Sequence, residues 1–486
     1  MTRHPLLVLL VSALIGALAG LLLGPKPIPL GSATGDPALA AEVAPILAGT
    51  GNDGTVSVVR IRDGRSTWAG FGDVTEQSRF EIGSLTKSFN GLLLADAVER
   101  GKVALDDTLA THLVELAGTP AGSVTLEELA THTSGLPSMG SMNMLRVIAD
   151  DLAGAPYADY RRATPESVIS NAGSAELADP GTWQYSNLGA SLLGFALARA
   201  AEAPDWPTLV TERLFVPLGM DQTHIAEPGL PHPELTQPHN PNGTPMGAQT
   251  STGYAPAGIG VTSTAADLAR YAEALLAGEA PGMDALTPRV DTAGALPGQQ
   301  MGLAWVISGE NHEIAWHNGM TGGMASMFAV DRARQSATIV LTDRARDVTG
   351  AGLVLLADGG DPGLPAIPHI DADTVMWVAA GALLVALFAW ASARARSRAR
   401  LIGQGLAAVG SLLLWGLAQP WDWARPWTFG LAVGLTLGAL VVAGRRWSEL
   451  GWLPQRLRPV TVIVAALGVA WFVAMVAFAG WVLSLA

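Results

Sequence analysis

Ser84 and Lys87 lie three residues apart in the stretch Phe80-Glu81-Ile82-Gly83-Ser84-Leu85-Thr86-Lys87-Ser88-Phe89. The run behind them, Leu92, Leu93, Leu94, Ala95 and Val98, predicts a buried helix. Positions i and i+3 share one helix face, so the lysine sits one turn along from the serine. A helix that begins near Ser84 also puts the hydroxyl in the positive field of its N-terminus. These are the parts of an activated nucleophile: a hydroxyl, an amine to manage its proton, and a site that favours developing negative charge. A Ser-x-x-Lys pair alone is common. Lysine, however, is scarce in this chain, which has only Lys26, Lys87 and Lys102 against 26 arginines. A guanidinium stays protonated, so lysine fits a proton acceptor here where arginine would not.

Two further motifs could join that pair. Tyr185-Ser186-Asn187 precedes an apolar helical run from Leu188 to Ala201. A tyrosine at the mouth of a helix can share or accept a serine proton where a lysine lowers its pKa. The Asn187 amide can hold a substrate carbonyl or steer the lysine. The second motif, His317-Asn318-Gly319, ends a strand-like run and leads into Met320 and Thr321-Gly322-Gly323. A strand residue without a side chain lets a substrate lie alongside and take main-chain hydrogen bonds. The Met320 amide can then pair with the Ser84 amide as an oxyanion hole. Each motif alone has an ordinary reading, a loop tyrosine with a local asparagine cap and a plain hairpin ending in histidine. Their occurrence together, in this order, carries the weight.

The elements that must position these residues are legible in outline. A hairpin is expected over 54–74 around Asp63-Gly64. The Ser84 helix stops at Gly101, and helices with loops follow to about residue 290. Thr125 to Glu128 and Thr264 to Asp267 resemble helix-start capping boxes. Residues 228–258, rich in proline, glycine and histidine, read as a long surface loop. Strand character returns at Gly302–Ile307, Glu313–His317, Ala325–Val330 and Ala337–Thr342. The expected fold is α+β: one antiparallel sheet built from both ends, flanked by helices, with an inserted helical subdomain.

With these motifs in hand, the chain resembles the serine β-lactamase-like superfamily of class C β-lactamases, D-alanyl-D-alanine carboxypeptidases and related esterases. The resemblance covers about residues 45–345. It includes Leu129-Ala130-Thr131-His132-Thr133-Ser134-Gly135-Leu136-Pro137 and Gly258-Ile259-Gly260-Val261-Thr262-Ser263-Thr264-Ala265-Ala266-Asp267-Leu268. It implies Ser84 as the acyl-forming nucleophile, Lys87 as its proton partner and Tyr185 as general base or acid. It further implies Asn187 as a substrate and lysine contact, and the segment from His317 to Gly319 as the substrate-binding strand. The superfamily's β-lactamases have Lys-Thr-Gly in the third motif. Histidine is mostly neutral at pH 7, so His317 moves the expectation from an efficient β-lactamase towards an esterase or peptidase. His132 reads as a loop tie. His224, His232 and His239 lack a carboxylate or helical spacing, and neither a metal nor a cofactor is expected.

Both ends of the chain are apolar. Leu6 to Leu23, behind Arg3, is about the length that crosses a bilayer and reads as an anchor or signal over residues 1–24, with a linker at 25–44. A hydrolase domain is expected over 45–365 and an all-α transmembrane region of four helices over 374–486. The four segments are 374–391, 401–418, 428–443 and 460–483. Arg394, Arg396, Arg398 and Arg400 fill one intervening loop, and Arg445, Arg446, Arg456 and Arg458 fill another. The positive-inside rule makes both cytoplasmic. The acidic middle then lies outside the cytoplasm, and its charge argues against nucleic acid as a partner. There is no cysteine for a thiol nucleophile, disulfide or lipid anchor. The expected activity is acyl transfer through Ser84, at the lipid bilayer, on a small-molecule or peptide substrate: a D-alanyl peptide of the cell-wall type, another D-amino-acid peptide, a β-lactam or an ester. The alternative is a membrane sensor whose hydrolase-like domain only binds wall fragments.

Overall fold

The computed structural model describes residues 4–23, 30–50, 54–140, 158–226, 234–240, 245–292, 296, 298–309, 311, 313–357, 372–395, 397–418, 426–452, 466 and 468–470. They form two compact units, one over residues 30–357 and the other from residues 4–23 with those beyond 372.

The first unit grows from the expected hairpin. Strands β2 (Val56–Arg62) and β3 (Arg65–Phe71) pair around Asp63 and Gly64, whose φ angles of +51° and +71° suit a two-residue hairpin turn. Strand β12 (Ser336–Thr342), from the far end of the unit, pairs antiparallel with β2, setting Val340 opposite Val58. The sheet continues through β11 (Ala325–Asp331), β10 (Ile314–Met320), β9 (Val306–Ser308), β8 (Gln300–Met301) and β7 (Val290–Asp291). Strand β1 (Ala33–Gly35) closes the other edge on β3.

Period-two alternation feeds two cores. Val59, Ile61, Phe328 and Val330 enter one, shared with helices α3 (Lys87–Glu99) and α6 (Ala265–Ala277). Val56, Val58, Met327 and Ala329 enter the other, under α2 (Pro37–Thr50) and α7 (Thr349–Leu356). Helices on both faces explain why β11 and β12 are buried along their whole length. Between the two sheet-forming ends lie α4 (Leu126–Ala130) and α5 (Asn187–Ala200) of the helical insertion. A short second sheet joins β4 (Arg79–Glu81), β6 (Val261–Thr264) and β5 (His224–Ile225).

Three details differ from expectation. Residues 25–44 are not simply a linker, because Ala33–Gly35 pairs with β3 and Leu39, Ala40 and Val43 of α2 are buried against the sheet. The 228–258 loop is not wholly a surface feature: Gln249, Thr250 and Ser251 are buried, and His239 bridges Arg344. The two capping boxes also part company. Thr125 and Glu128 bond reciprocally, at 3.2 and 2.8 Å. Thr264 caps the Asp267 amide, but the shorter Asp267 carboxylate turns instead to Gln222 N and Thr223 Oγ1.

In the second unit, α1 (Pro5–Leu23) packs with α8 (Ala372–Arg394), α9 (Arg398–Ala418) and α10 (Pro426–Arg446). Among the described residues, Pro5–Leu23 and Trp427–Glu449 are helices long and apolar enough to cross a membrane. The expected segment at 460–483 lies almost wholly outside the described residues. Helices α1 and α10 meet on glycine. A Cβ on Gly16 would overlap the Gly430 carbonyl, and one on Gly434 the Ser12 carbonyl.

Candidate active site

Ser84 sits in a 3-10 turn, Gly83–Thr86, that runs directly into α3. The turn is clamped by backbone on two sides. Gly83, at φ +51°, lies against Met320, where a Cβ would come within 2.8 Å of the Met320 nitrogen. A Cβ on Gly258 would overlap the Gly83 carbonyl. Glycine is required at both places, and the Ser84 and Met320 amides become neighbours.

One turn along, Lys87 is fully buried. Its Nζ donates to Ser84 Oγ at 2.9 Å and to the Ala257 carbonyl at 2.7 Å. The adjacent Pro256 carbonyl accepts from Asn90 Nδ2, also on α3, so one helix fixes both carbonyls. Burial without a carboxylate partner drives the Lys87 amine well below its ordinary pKa. Tyr185 donates its hydroxyl to Ser84 Oγ at 2.6 Å, and Lys87 Nζ lies 4.9 Å from its ring centre. Burial pushes the Tyr185 phenol up to about 12, against a smaller opposing effect of the Ser84 bond. The phenol therefore rests protonated rather than as a phenolate.

The strand motif divides by pleat. His317 and Gly319 face the Ser84 turn, whereas Asn318 faces α7. His317 is 4 % exposed, and its Nδ1 donates to the Asn318 carbonyl at 2.6 Å, leaving Nε2 as the acceptor. Burial, then the nearby Lys87, lowers its pKa to about 4, so it is neutral at pH 7. The Asn318 amide donates to Thr349 Oγ1 at 2.9 Å, away from Ser84. Within the expected binding strand, Asn318 therefore turns its side chain to the face away from Ser84. Gly319 leaves room for Ile82, two residues before Ser84, rather than for a substrate, since a Cβ there would overlap the Ile82 carbonyl. The Met320 side chain is exposed. Asn187 is half-buried at the start of α5, and its backbone amide donates to the Ser138 carbonyl. Its side chain makes no hydrogen bond to Lys87 among the described residues.

Two residues passed over as chemistry stand close by. His132 is buried with its ring centre 4.7 Å from that of Tyr185. Glu81 is fully buried and accepts from the Gln249 amide at 2.5 Å; burial raises its pKa to about 7, partly opposed by that bond. Both lie in stretches already singled out by sequence, but only the fold reveals their neighbours.

The chain is similar to known proteins. The family model described as Beta-lactamase matches residues 44–357, more than half of the chain. A beta-lactamase of Providencia stuartii is 31% identical over 205 residues, covering 41% of this chain and 47% of that protein. One of Pseudomonas fluorescens is 26% identical over 231 residues, covering 45% and 58%. The chain thus spans about half the length of these curated relatives. A class C beta lactamase structure from Rhodobacter sphaeroides superposes with a TM-score of 0.53 at 21% identity, covering 64% of this chain and 95% of its own. That likeness carries the fold: an antiparallel sheet with helices.

Proposed function

The chain belongs to the beta-lactamase family, and from that premise we propose that it is a serine hydrolase working through an acyl-enzyme on Ser84. The observation that carries this reading is the convergence of Lys87 Nζ and Tyr185 Oη on Ser84 Oγ, at 2.9 and 2.6 Å. With its lone pair turned to the serine so that the hydroxyl becomes the donor, the neutral Lys87 amine takes the Ser84 proton as Oγ attacks the acyl carbon. The Ser84 and Met320 amides receive the negative charge on the acyl oxygen. As the intermediate collapses, Tyr185 gives its proton to the leaving group and is reprotonated from Lys87. Water then enters by the reverse route, losing its proton to the same pair and releasing the acid and free Ser84.

The substrate side is an ester or peptide acyl donor without a required carboxylate. His317 in the third motif is neutral, and its ring proton is held by its own strand. A panel of short-chain esters, D-alanyl peptides and penicillins tests this, together with a serine-directed covalent probe. Turnover of at least one ester or peptide and labelling of Ser84 are expected, both lost in Ser84→Ala. Labelling that survives Ser84→Ala overturns the assignment.

We further propose that the hydrolase is a multi-pass membrane protein with its catalytic unit outside the cytoplasm. The arginine-rich loops support this orientation. So does the packing of α1 on α10. Gly20 meets Gly430 and Leu9 meets Gly438, so the helices run antiparallel, and the start of α1 shares an end with Arg445 and Arg446. The positive-inside assignment requires that same pairing of ends.

A further inference from the structure

His132 grips the segment carrying Tyr185 at three points. Its carbonyl accepts from the Gln184 amide at 2.7 Å, and its Nδ1 accepts from the Ser186 amide at 3.3 Å. Between those two bonds its ring rests on the Tyr185 ring, tilted by 43°. The next residue continues the grip, the Thr133 carbonyl accepting from the Gly181 amide at 2.7 Å. His132 holds this pose at φ +59°, a left-handed conformation unusual for a residue with a side chain. A simple loop tie needs one hydrogen bond; this arrangement brackets one tyrosine.

We propose that His132 is a positioning residue for the reaction above, holding the Tyr185 ring so that its hydroxyl stays on Ser84 Oγ. The inference rests on the Ser84 hydrolase reading. The Ser186 N–H is a donor, so Nδ1 must be the acceptor and the ring proton sits on Nε2. That tautomer is neutral, and the ring is 2 % exposed. A charged ring would lose the Ser186 bond and stand beside Lys87. Burial, then Lys87 and His317, keep it neutral by lowering its pKa to about 3.

Two variants separate the bond from the ring. His132→Asn keeps an acceptor near the Nδ1 position and tolerates positive φ. His132→Phe keeps a ring and loses the acceptor. Each is read for kcat and KM on a chromogenic ester, and for tyrosine ionisation by ultraviolet difference absorbance. Both variants should lower kcat, by about 10- to 100-fold on the scale of a misplaced proton-transfer group, with KM changed less than about twofold. One additional tyrosine should titrate near pH 10, the ordinary range for a phenol, and should vanish when Tyr185→Phe is added. Should His132→Phe fail to fold, His132→Asn alone decides. An unchanged tyrosine titration in a folded variant overturns the proposal whatever the rate does. A native chain without Ser84-dependent turnover overturns the hydrolase reading instead, and the titration then still judges whether His132 holds Tyr185.

Discussion

Gly319 and Ile82 touch backbone to backbone, the Ile82 carbonyl occupying the place a Gly319 side chain would take. The same carbonyl accepts from Ser326 Oγ at 2.7 Å, and Ser326 is the β11 partner of Gly319. Sheet and Ser84 turn are therefore seated on each other two residues before Ser84. Gly319→Ala must push one of them away. Overpacking of this kind costs about 1–3 kcal/mol, and an ångström of misplacement costs on the order of 100-fold in rate. Gly319→Ala should lower the thermal midpoint and slow covalent labelling of Ser84 by that factor. Native values for both would show that the contact does not set the nucleophile.

Lys87 sets activity against stability. Burial lowers its pKa well below the ordinary amine value, so the folded chain binds fewer protons here than the unfolded chain until pH passes the ordinary lysine range. Stability therefore rises with pH across that window, and keeping the amine neutral costs free energy at pH 7. Lys87→Met removes the proposed base and the cost of holding a buried amine neutral, and gives up the bond to the Ala257 carbonyl. It should be at least as stable as the native chain at pH 7, with the difference shrinking as pH approaches 10. Its kcat/KM should fall by about 1,000-fold or more, as when a member of a coupled catalytic set is removed. Denaturant melts and ester hydrolysis at several pH values read both quantities. A Lys87→Met chain that keeps its activity would remove Lys87 as the base.

Glu81 works in the opposite sense. Its carboxyl, raised to about 7 by burial, binds a proton in the folded chain over a range where the unfolded chain has lost it. Its contribution is present below pH 4.5 and is lost as pH rises through about 7. The loss is on the order of 3 kcal/mol at about 1.4 kcal/mol per pH unit. Glu81→Gln keeps an acceptor for the Gln249 amide and cannot ionise. The stability difference between variant and native chain should grow in favour of the variant between about pH 4.5 and 7, then level off. A difference that is flat with pH would mean that Glu81 is solvated or paired in the folded chain.

The grouping of Ser84, Lys87 and Tyr185 was legible because each sits where a local pattern announces it: a turn before a buried helix, or a polar triplet before an apolar one. The sheet was legible because strand character at both ends of the unit has few other ways to close. Side-chain direction within the third motif was not. His317 and Gly319 turn to Ser84 and Asn318 to Thr349 because β10 is covered on both faces, and a triplet read alone does not say which face holds the site. Likewise, Ala33–Gly35 lacks the apolar signature of a strand, since its residues are exposed and the element is defined by pairing with β3 alone. His132 looked like a loop residue and is one; its role follows from which loop it holds.

The antiparallel seating of α1 on α10 leads to a test of the N-terminal segment. Ser12 lies beside Gly438, where a Cβ on the glycine would come 2.8 Å from the serine Cβ. Glycine opposite small residues lets two apolar helices approach to backbone contact, which fixes α1 in the bundle without polar bonds. A chain without cysteines allows the pair to be trapped cleanly. Ser12→Cys with Gly438→Cys places two thiols within reach of a disulfide after a small adjustment of the helices. In isolated membranes the oxidised double variant should carry an intramolecular peptide cross-link by mass spectrometry, and the native chain should keep residues 1–24. Gly434→Leu, which thrusts a side chain into the Ser12 carbonyl, should abolish the cross-link when added. Removal of residues 1–24 in the native chain, or a cross-link formed only between two copies, would show that α1 is not a lasting part of this unit.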